Sequence, residues 1–247
     1  MPAWSFGQLT DAFSAVSGPD DLRRLNQAFP DRYPFLLQST SRGSELGRYD
    51  ILFAFPGESL VLDNANPEEP FLAALDDWWQ RDRQDLPDSP LPFRGGWFLY
   101  LGYELAGEIE PKLDMHTDPL LPIAFAVRCK TALIWDHEQQ VCVLVEEPVT
   151  SSDVAQMCAD VDALESEVRA EVDCSAAAVE ETPTNFTDAV IVAKQHIAAG
   201  DVYQANLSRE WRATIPSALC SEAIYETLCA TNPAPFAGIA RWRDTTI

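Results

Sequence analysis

Two apolar, β-rich runs, Ala124 to Trp135 and Val141 to Glu147, are separated only by Asp136-His-Glu-Gln-Gln140. A link that short brings a strand back beside the one before it, so the runs are expected to form an antiparallel hairpin. His137 sits in its turn and reads as a solvated loop histidine, not as a metal ligand. His116 and His196 have no partner at ligand spacing.

Other segments read by the same logic. Arg48 to Pro56 is rich in aromatic and branched residues and is strand-like, as is Phe35 to Leu37. Leu22 to Phe29 and Phe71 to Arg81 carry apolar stripes at helical spacing; the second includes Trp78 and Trp79, which that spacing assigns to core packing. Val154, Met157, Val161, Leu164, Val168 and Val172 recur every three or four residues, a helix that Ser151 or Ser152 can cap. Thr187 can cap a further helix through Ala199, with Gly200 placed as its left-handed stop. Val202 to Ala213 alternates as a strand, with Gln204, Asn206 and Ser208 on its polar face. One more helix, through Leu219, Ala223, Leu228 and Cys229, ends at Asn232-Pro-Ala-Pro235. Phe236 to Trp242 begins another strand, with no closing element after it. The expected class is therefore α+β: mostly antiparallel sheets with a sandwich-like core, flanked by helices.

The charge excludes several partners. Lys and Arg total 17 against 39 Asp and Glu, a formal charge of −22. Nucleic acid and anionic membrane surfaces need cationic patches, so neither is expected as a partner. No run of about 18 apolar residues suggests a membrane span. The opening Met1-Pro-Ala-Trp-Ser-Phe6 lacks the basic region of a secretory signal, and the six cysteines include no C-x-x-C pair; both fit a cytoplasmic protein with reduced thiols. Between Glu138 and Glu181 twelve acidic residues face a single basic one, Arg169, which marks a solvated stretch. The chain is accordingly divided into residues 1–172, a linker at 173–184, and a second domain from 185 to 247.

No nucleophile elbow, phosphate loop or zinc signature is present. The pattern alone yields a soluble, acidic, mixed protein. A set of five short motifs adds more. Ile197-Ala-Ala-Gly-Asp-Val-Tyr-Gln-Ala-Asn-Leu-Ser-Arg209 resembles the G-D-x-Y-Q-x-N-L segment of the chorismate-utilising component I proteins of anthranilate synthase and aminodeoxychorismate synthase. Pro34-Phe-Leu-Leu-Gln-Ser39 resembles that family's L-L-x-S strand, and Gly47-Arg-Tyr-Asp-Ile51 the strand after it. Pro92-Phe-Arg-Gly-Gly96 with Gly102-Tyr-Glu104 resembles its P-F-x-G-G and G-Y-[DE] pair, although Leu99 stands where another glycine is usual. Asn232-Pro-Ala-Pro-Phe236 resembles its N-P-x-P-[FY] turn.

The resemblance implies a reaction and its accessories. Component I takes chorismate and ammonia from a glutamine amidotransferase subunit, component II, with Mg²⁺ screening the substrate carboxylates. The Ala234-Pro-Phe236 turn and Gln38 resemble the aminodeoxychorismate type, which makes 4-amino-4-deoxychorismate for folate through p-aminobenzoate. Anthranilate synthase component I and a non-catalytic tryptophan-binding regulatory module are the alternatives. In the family an S-P-E-R segment and the groups that hold chorismate and Mg²⁺ would follow the position of Ile247. Catalytic residues and metal ligands are thus expected outside this chain, and the 247 residues alone are expected to be inactive. The resemblance also implies a tryptophan pocket, for an inhibitor or a structural ligand, at Ser39, Leu46, Gly47, Arg48, Tyr49, Pro235, Phe236 and Ala237.

Overall fold

The structure is a computed structural model and describes residues 13–41, 47–63, 70–84, 89–113, 115–147, 152–164, 178–214 and 221–247. Contacts divide the chain into two units: residues 1–168 together with 228–247, and residues 169–227. This grouping differs from the division read from the sequence, because residues 228–247 belong with the first unit.

The first unit is built on two antiparallel sheets. The larger has six strands in the order β11-β10-β1-β2-β6-β7: β1 is Phe35–Gln38, β2 Tyr49–Ala54, β6 Thr131–Asp136, β7 Val141–Glu146, β10 Ala237–Trp242 and β11 Thr245–Thr246. The smaller has the order β3-β5-β4, with β3 Ser59–Leu62, β4 Gly96–Leu101 and β5 Ala124–Cys129. Phe35, Phe53 and Ala240 from the large sheet pack with Phe98, Phe125, Val127 and Cys129 from the small one. The two inner faces therefore make one core, as the expected sandwich-like α+β class requires. Phe125 is the centre: its ring stacks with those of Trp242 at 4.2 Å and Tyr100 at 5.3 Å.

Helices cover both outer faces. On the small sheet, Phe71 and Trp78 of α2 (Phe71–Asp82) pack with Leu62, Ala124 and Ala126. On the large sheet, Leu36, Leu52 and Leu133 stand opposite one another in register and point away from the sandwich core. There α1 (Pro19–Ala28) packs on β1 and β2 and touches α4 (Ser152–Asp162). Arg32 and Tyr33 tie down α4 by hydrogen bonds of 2.7 and 2.8 Å to the buried carboxylate of Asp160. Burial pushes that carboxylate up, but the bonds from Arg32, Gln156 and Tyr33 outweigh it and hold Asp160 below the ordinary range.

Three expectations change here. The run Ala124 to Trp135 is two strands, not one. It breaks at exposed Lys130, where the chain leaves the small sheet and enters the large one; both strands are fully buried, so the sequence shows no gap. The hairpin itself is β6–β7, paired from Thr131↔Glu146 to Asp136↔Val141. Second, β10 does have a closing partner: β11 folds back on it, and Ile247 exchanges two 2.8 Å bonds with Ala240. Third, the helix from Ser152 stops at Asp162, with Leu164 already outside it; Val168 and Val172 lie outside the described residues.

The second unit has a different character. A short ladder pairs β8 (Ala178–Glu180) with β9 (Trp211–Ala213). The helix α5 (Pro183–Ala199) ends on Gly200 at φ +80°, the left-handed stop its sequence announces. It starts at Pro183, four residues before the expected cap, because proline at the first helical position has no N–H to leave unpaired. Residues 202–210, read as strand from their alternation, form no ladder and are exposed. Alternation sorts side chains between two faces but supplies no partner strand. The helix α6 (Ser221–Thr231) ends before Asn232-Pro233, as expected; Leu219 lies outside the described residues.

Candidate functional site

Strand pairing gathers the predicted pocket. The strand β1 runs between β2 and β10, with Gln38 paired to Ala237 and Leu37 to both Ile51 and Gly238. Ser39 follows directly, so it emerges beside the start of β2 and the turn before β10. Its hydroxyl lies 3.1 Å from the carbonyl oxygens of both Tyr49 and Pro235. One hydrogen can serve only one of them at a time. The next residue locks the turn: Thr40 N and Oγ1 each donate to Ala234 O at 2.9 Å, and Ala234 N returns a 2.8 Å bond to Thr40 Oγ1. Residues almost 200 positions apart are thus fixed edge to edge.

Behind Ser39 stands Asp50, buried in β2. Its Oδ1 accepts the Ser39 N–H at 2.8 Å and its Oδ2 the Gln38 side-chain amide at 3.1 Å. Gln38 Oε1 is buried with no hydrogen-bond partner among the described residues. His137 Nε2 is 3.0 Å from Asp50 Oδ1 but off the line of a ring N–H, so the contact is not a hydrogen bond. His137 is therefore not the solvated histidine expected; its ring is largely buried and its backbone N–H donates to Arg48 O at 2.9 Å.

The remaining predicted residues divide. Gly47 is buried beside the site. The Arg48 guanidinium is committed to Asp136 at 2.8 and 3.1 Å and to Glu138 at 3.2 Å, and lies 4.9 Å over the Tyr49 ring. Burial raises Asp136, but the Arg48 bonds and the N–H groups of Glu138 and Gln139 hold it below its usual range. The Tyr49 phenol, raised by burial, donates to Pro90 O at 3.3 Å. Ala237 is half-buried in register with Gln38, whereas Phe236 is 77% exposed and walls nothing off. Leu46 lies outside the described residues.

The site is thus rich in acceptors: two carbonyls, a carboxylate and an amide oxygen. Its one nearby guanidinium is already paired. Such a set suits a ligand group that donates hydrogen bonds and carries positive charge, such as an α-ammonium. Gln38, Asp50 and His137 were not among the predicted residues. A signal for Asp50 did exist: it is a lone acid at the head of an apolar strand, Tyr49-Asp-Ile-Leu-Phe-Ala54.

Elsewhere, Pro92-Phe-Arg-Gly-Gly96 rims a cleft of about 410 Å³ whose floor is the buried Arg128–Glu147 pair at 2.7 Å. Gly96 O accepts from Arg128 at 2.7 Å, and Gly95 adopts φ +100° where a Cβ would fall 2.0 Å from Glu147 Oε1. That pair explains Gly95, whereas Gly96 is set by its own backbone at φ +147°. Gln204, Asn206 and Ser208 lie exposed outside any ladder. Among the described residues no group of three His, Cys, Asp or Glu side chains could hold a metal ion, so these residues do not fit Mg²⁺. No helix among them is long and apolar enough to cross a membrane.

Comparison with known proteins places the chain. The family model for the chorismate binding enzymes matches residues 22–247. The chain belongs to the chorismate-binding enzyme family. Its relatives include an anthranilate synthase component I-like protein of Synechocystis, 30% identical over 65% of this chain and 33% of that one. Anthranilate synthase component 1 of Cereibacter sphaeroides is 26% identical over 94% of this chain and 53% of its own. An aminodeoxychorismate synthase of Streptomyces griseus is 27% identical over 83% and 32%. Among solved structures, anthranilate synthase component I from Streptococcus pneumoniae superposes with a TM-score of 0.61 at 20% identity, covering 78% of this chain and 47% of that one, which establishes a shared fold. The chain spans between about a third and about half of the length of these relatives.

Proposed function

We propose that this chain is part of component I of an aminodeoxychorismate synthase and carries a tryptophan pocket at the β1–β2–β10 junction. The observation that carries the pocket is the convergence of Ser39 with Tyr49 and Pro235, each at 3.1 Å. A zwitterionic amino acid offers an ammonium to the acceptors around Ser39, while its ring can lie on the Tyr49 side. The reaction proposed for the complete system replaces the 4-hydroxyl of chorismate with ammonia from an amidotransferase partner, giving 4-amino-4-deoxychorismate. Support for that product comes from Gln38 and the Ala234-Pro-Phe236 turn. A second reading, anthranilate synthase component I, is favoured by the names of the Cereibacter and Synechocystis relatives.

Two experiments test these statements. The 247-residue chain, given chorismate and Mg²⁺ with ammonia or with glutamine and a glutaminase, is expected to form no product. Product formation would overturn that, and its identity would decide between the two synthases. For the pocket, the chain is unfolded, freed of ligand and refolded, then melted with and without millimolar tryptophan. A raised melting temperature is expected by mass action. Ser39→Ala should cost about 1–3 kcal/mol of binding, about ten-fold or more in Kd. No shift and no heat of binding in the refolded wild type would remove the pocket.

A further inference from the structure

The strand edges of the first unit are not alike. At one end of the large sheet, β7 has its outward carbonyl at Cys142 taken by the Phe13 N–H at 2.8 Å. At the other end β11 is two residues long, and β3, an edge of the small sheet, is four. Short edges offer few groups to another strand. The other edge of the small sheet is β4, Gly96-Trp-Phe-Leu-Tyr-Leu101, six residues without a charge or a proline. Its ladder to β5 runs without a bulge from Gly96↔Cys129 to Leu101↔Ala124. The devices that keep an edge from pairing are therefore missing from it.

The ladder also sets which way its main chain points. Gly102 N donates to Ile123 O at 2.8 Å, in continuation of the same register. Gly96, Phe98 and Tyr100 thus aim their main-chain groups at β5, and Trp97, Leu99 and Leu101 aim theirs outward. Among the described residues no hydrogen bond reaches those outward groups. The side chains of the same residues share the outer face of the sheet. Trp97 packs there against Trp78, while Leu99 and Leu101 are 43% and 51% exposed. Leu99 is also where the chain departs from the glycine of the motif it resembles.

We propose that β4 is the interface of a two-fold homodimer, in which two copies of this chain pair antiparallel, edge to edge, about Leu99. That register sets Leu99 opposite Leu99, Trp97 opposite Leu101 and Arg94 opposite Glu104 of the second copy. The outward N–H and C=O groups of Trp97, Leu99 and Leu101 all gain partners, and the exposed leucines cover one another across the seam. The charges agree with the same register. Arg94 precedes the strand and Glu104 follows it, so opposite charges meet at both ends of the seam. Sliding the copy by two residues sets Leu101 opposite Gly95, or Trp97 opposite Tyr103, and separates Arg94 from Glu104. A second copy supplies the matching apolar and charged positions by symmetry.

The test is sedimentation of the full chain, expected to be a dimer at about 100 μM. Leu99→Lys sets two ammonium groups face to face on the axis and should weaken association by about 100-fold or more. Its unfolding midpoint should match the wild type, because the leucine is already exposed. Arg94→Glu and Glu104→Arg should each weaken association by about three- to ten-fold, and the two together should restore it. Opposed residues of a hydrogen-bonded pair have Cα atoms about 5.5 Å apart, within the disulfide range of about 4.4–6.8 Å. Copper–phenanthroline oxidation should therefore convert Leu99→Cys to a reducible covalent dimer and leave the exposed control Tyr103→Cys monomeric. A chain that is monomeric throughout overturns the inference. So does a dimer that is indifferent to Leu99→Lys, or one that neither cross-links through Leu99→Cys nor recovers in the double charge exchange.

Discussion

The two units of this chain use apolar residues in opposite ways. In the first, Phe35, Phe98, Phe125 and their neighbours are sealed between two sheets, and helices cover the outer faces. In the second, no described residue is buried: Ile191, Val192 and Ile197 of α5 are each about half exposed, and Tyr203 is 93% exposed. Its ordered contacts include a three-residue ladder, the Arg209–Glu180 ion pair and Arg209 over the Trp211 ring at 4.9 Å. Exposed pairs of this kind contribute little. Stability therefore resides in the first unit, and the pocket residues sit there, on strands whose register is fixed by a buried face.

This contrast can be broken most forcefully at the centre of the core. Phe125→Ala should cost about 3–5 kcal/mol, measured by denaturant unfolding, because it empties a fully buried ring site between the sheets. A cost below about 1 kcal/mol would mean that the sandwich is not the stabilising element. The next largest effect is expected at Gly95. Alanine there meets both a left-handed backbone and the Glu147 carboxylate, so Gly95→Ala should cost about 3 kcal/mol by the same measurement.

A pH scan sharpens the comparison. Asp136 and Asp160, both in the first unit, are held below their ordinary range. A depressed carboxylate contributes stability that is complete above its unfolded pKa, near 4 on the usual scale, and that disappears as pH falls through its lower folded value. The melting temperature should thus hold down to about pH 5 and then drop, and Asp160→Asn should reduce the size of that drop. In the second unit the exposed Glu210–Arg212 pair should contribute no resolvable part of it. The smallest effect is expected on α5, where Ile191→Ala should change stability by no more than about 0.5 kcal/mol.

What could be read from the sequence follows the same divide. The hairpin β6–β7 was legible because its connection is too short for any other arrangement. The stop at Gly200 was legible because glycine tolerates the left-handed backbone. The strand β3 was not foreseen: Ser59-Leu-Val-Leu62 is four residues long and has no periodicity to detect. Nor was the change of sheet at Lys130, since both flanking strands are buried on both faces and read as one apolar run. In the pocket, Ser39, Tyr49 and Pro235 were named through family resemblance and do meet. Gln38, Asp50 and His137 were missed because their relation is tertiary: Asp50 joins Ser39 across one strand pair and His137 across the next. Phe236 shows the converse, a residue implied by resemblance whose ring is left exposed.

The β1–β2–β10 junction of the first unit is proposed as an amino-acid pocket. Hydrogen–deuterium exchange of the ligand-free, refolded chain with and without saturating tryptophan tests this directly. Slower exchange on tryptophan binding is expected in peptides covering residues 38–41, 48–50 and 234–240. Unchanged exchange at the junction, or slowing confined to α5, would contradict it.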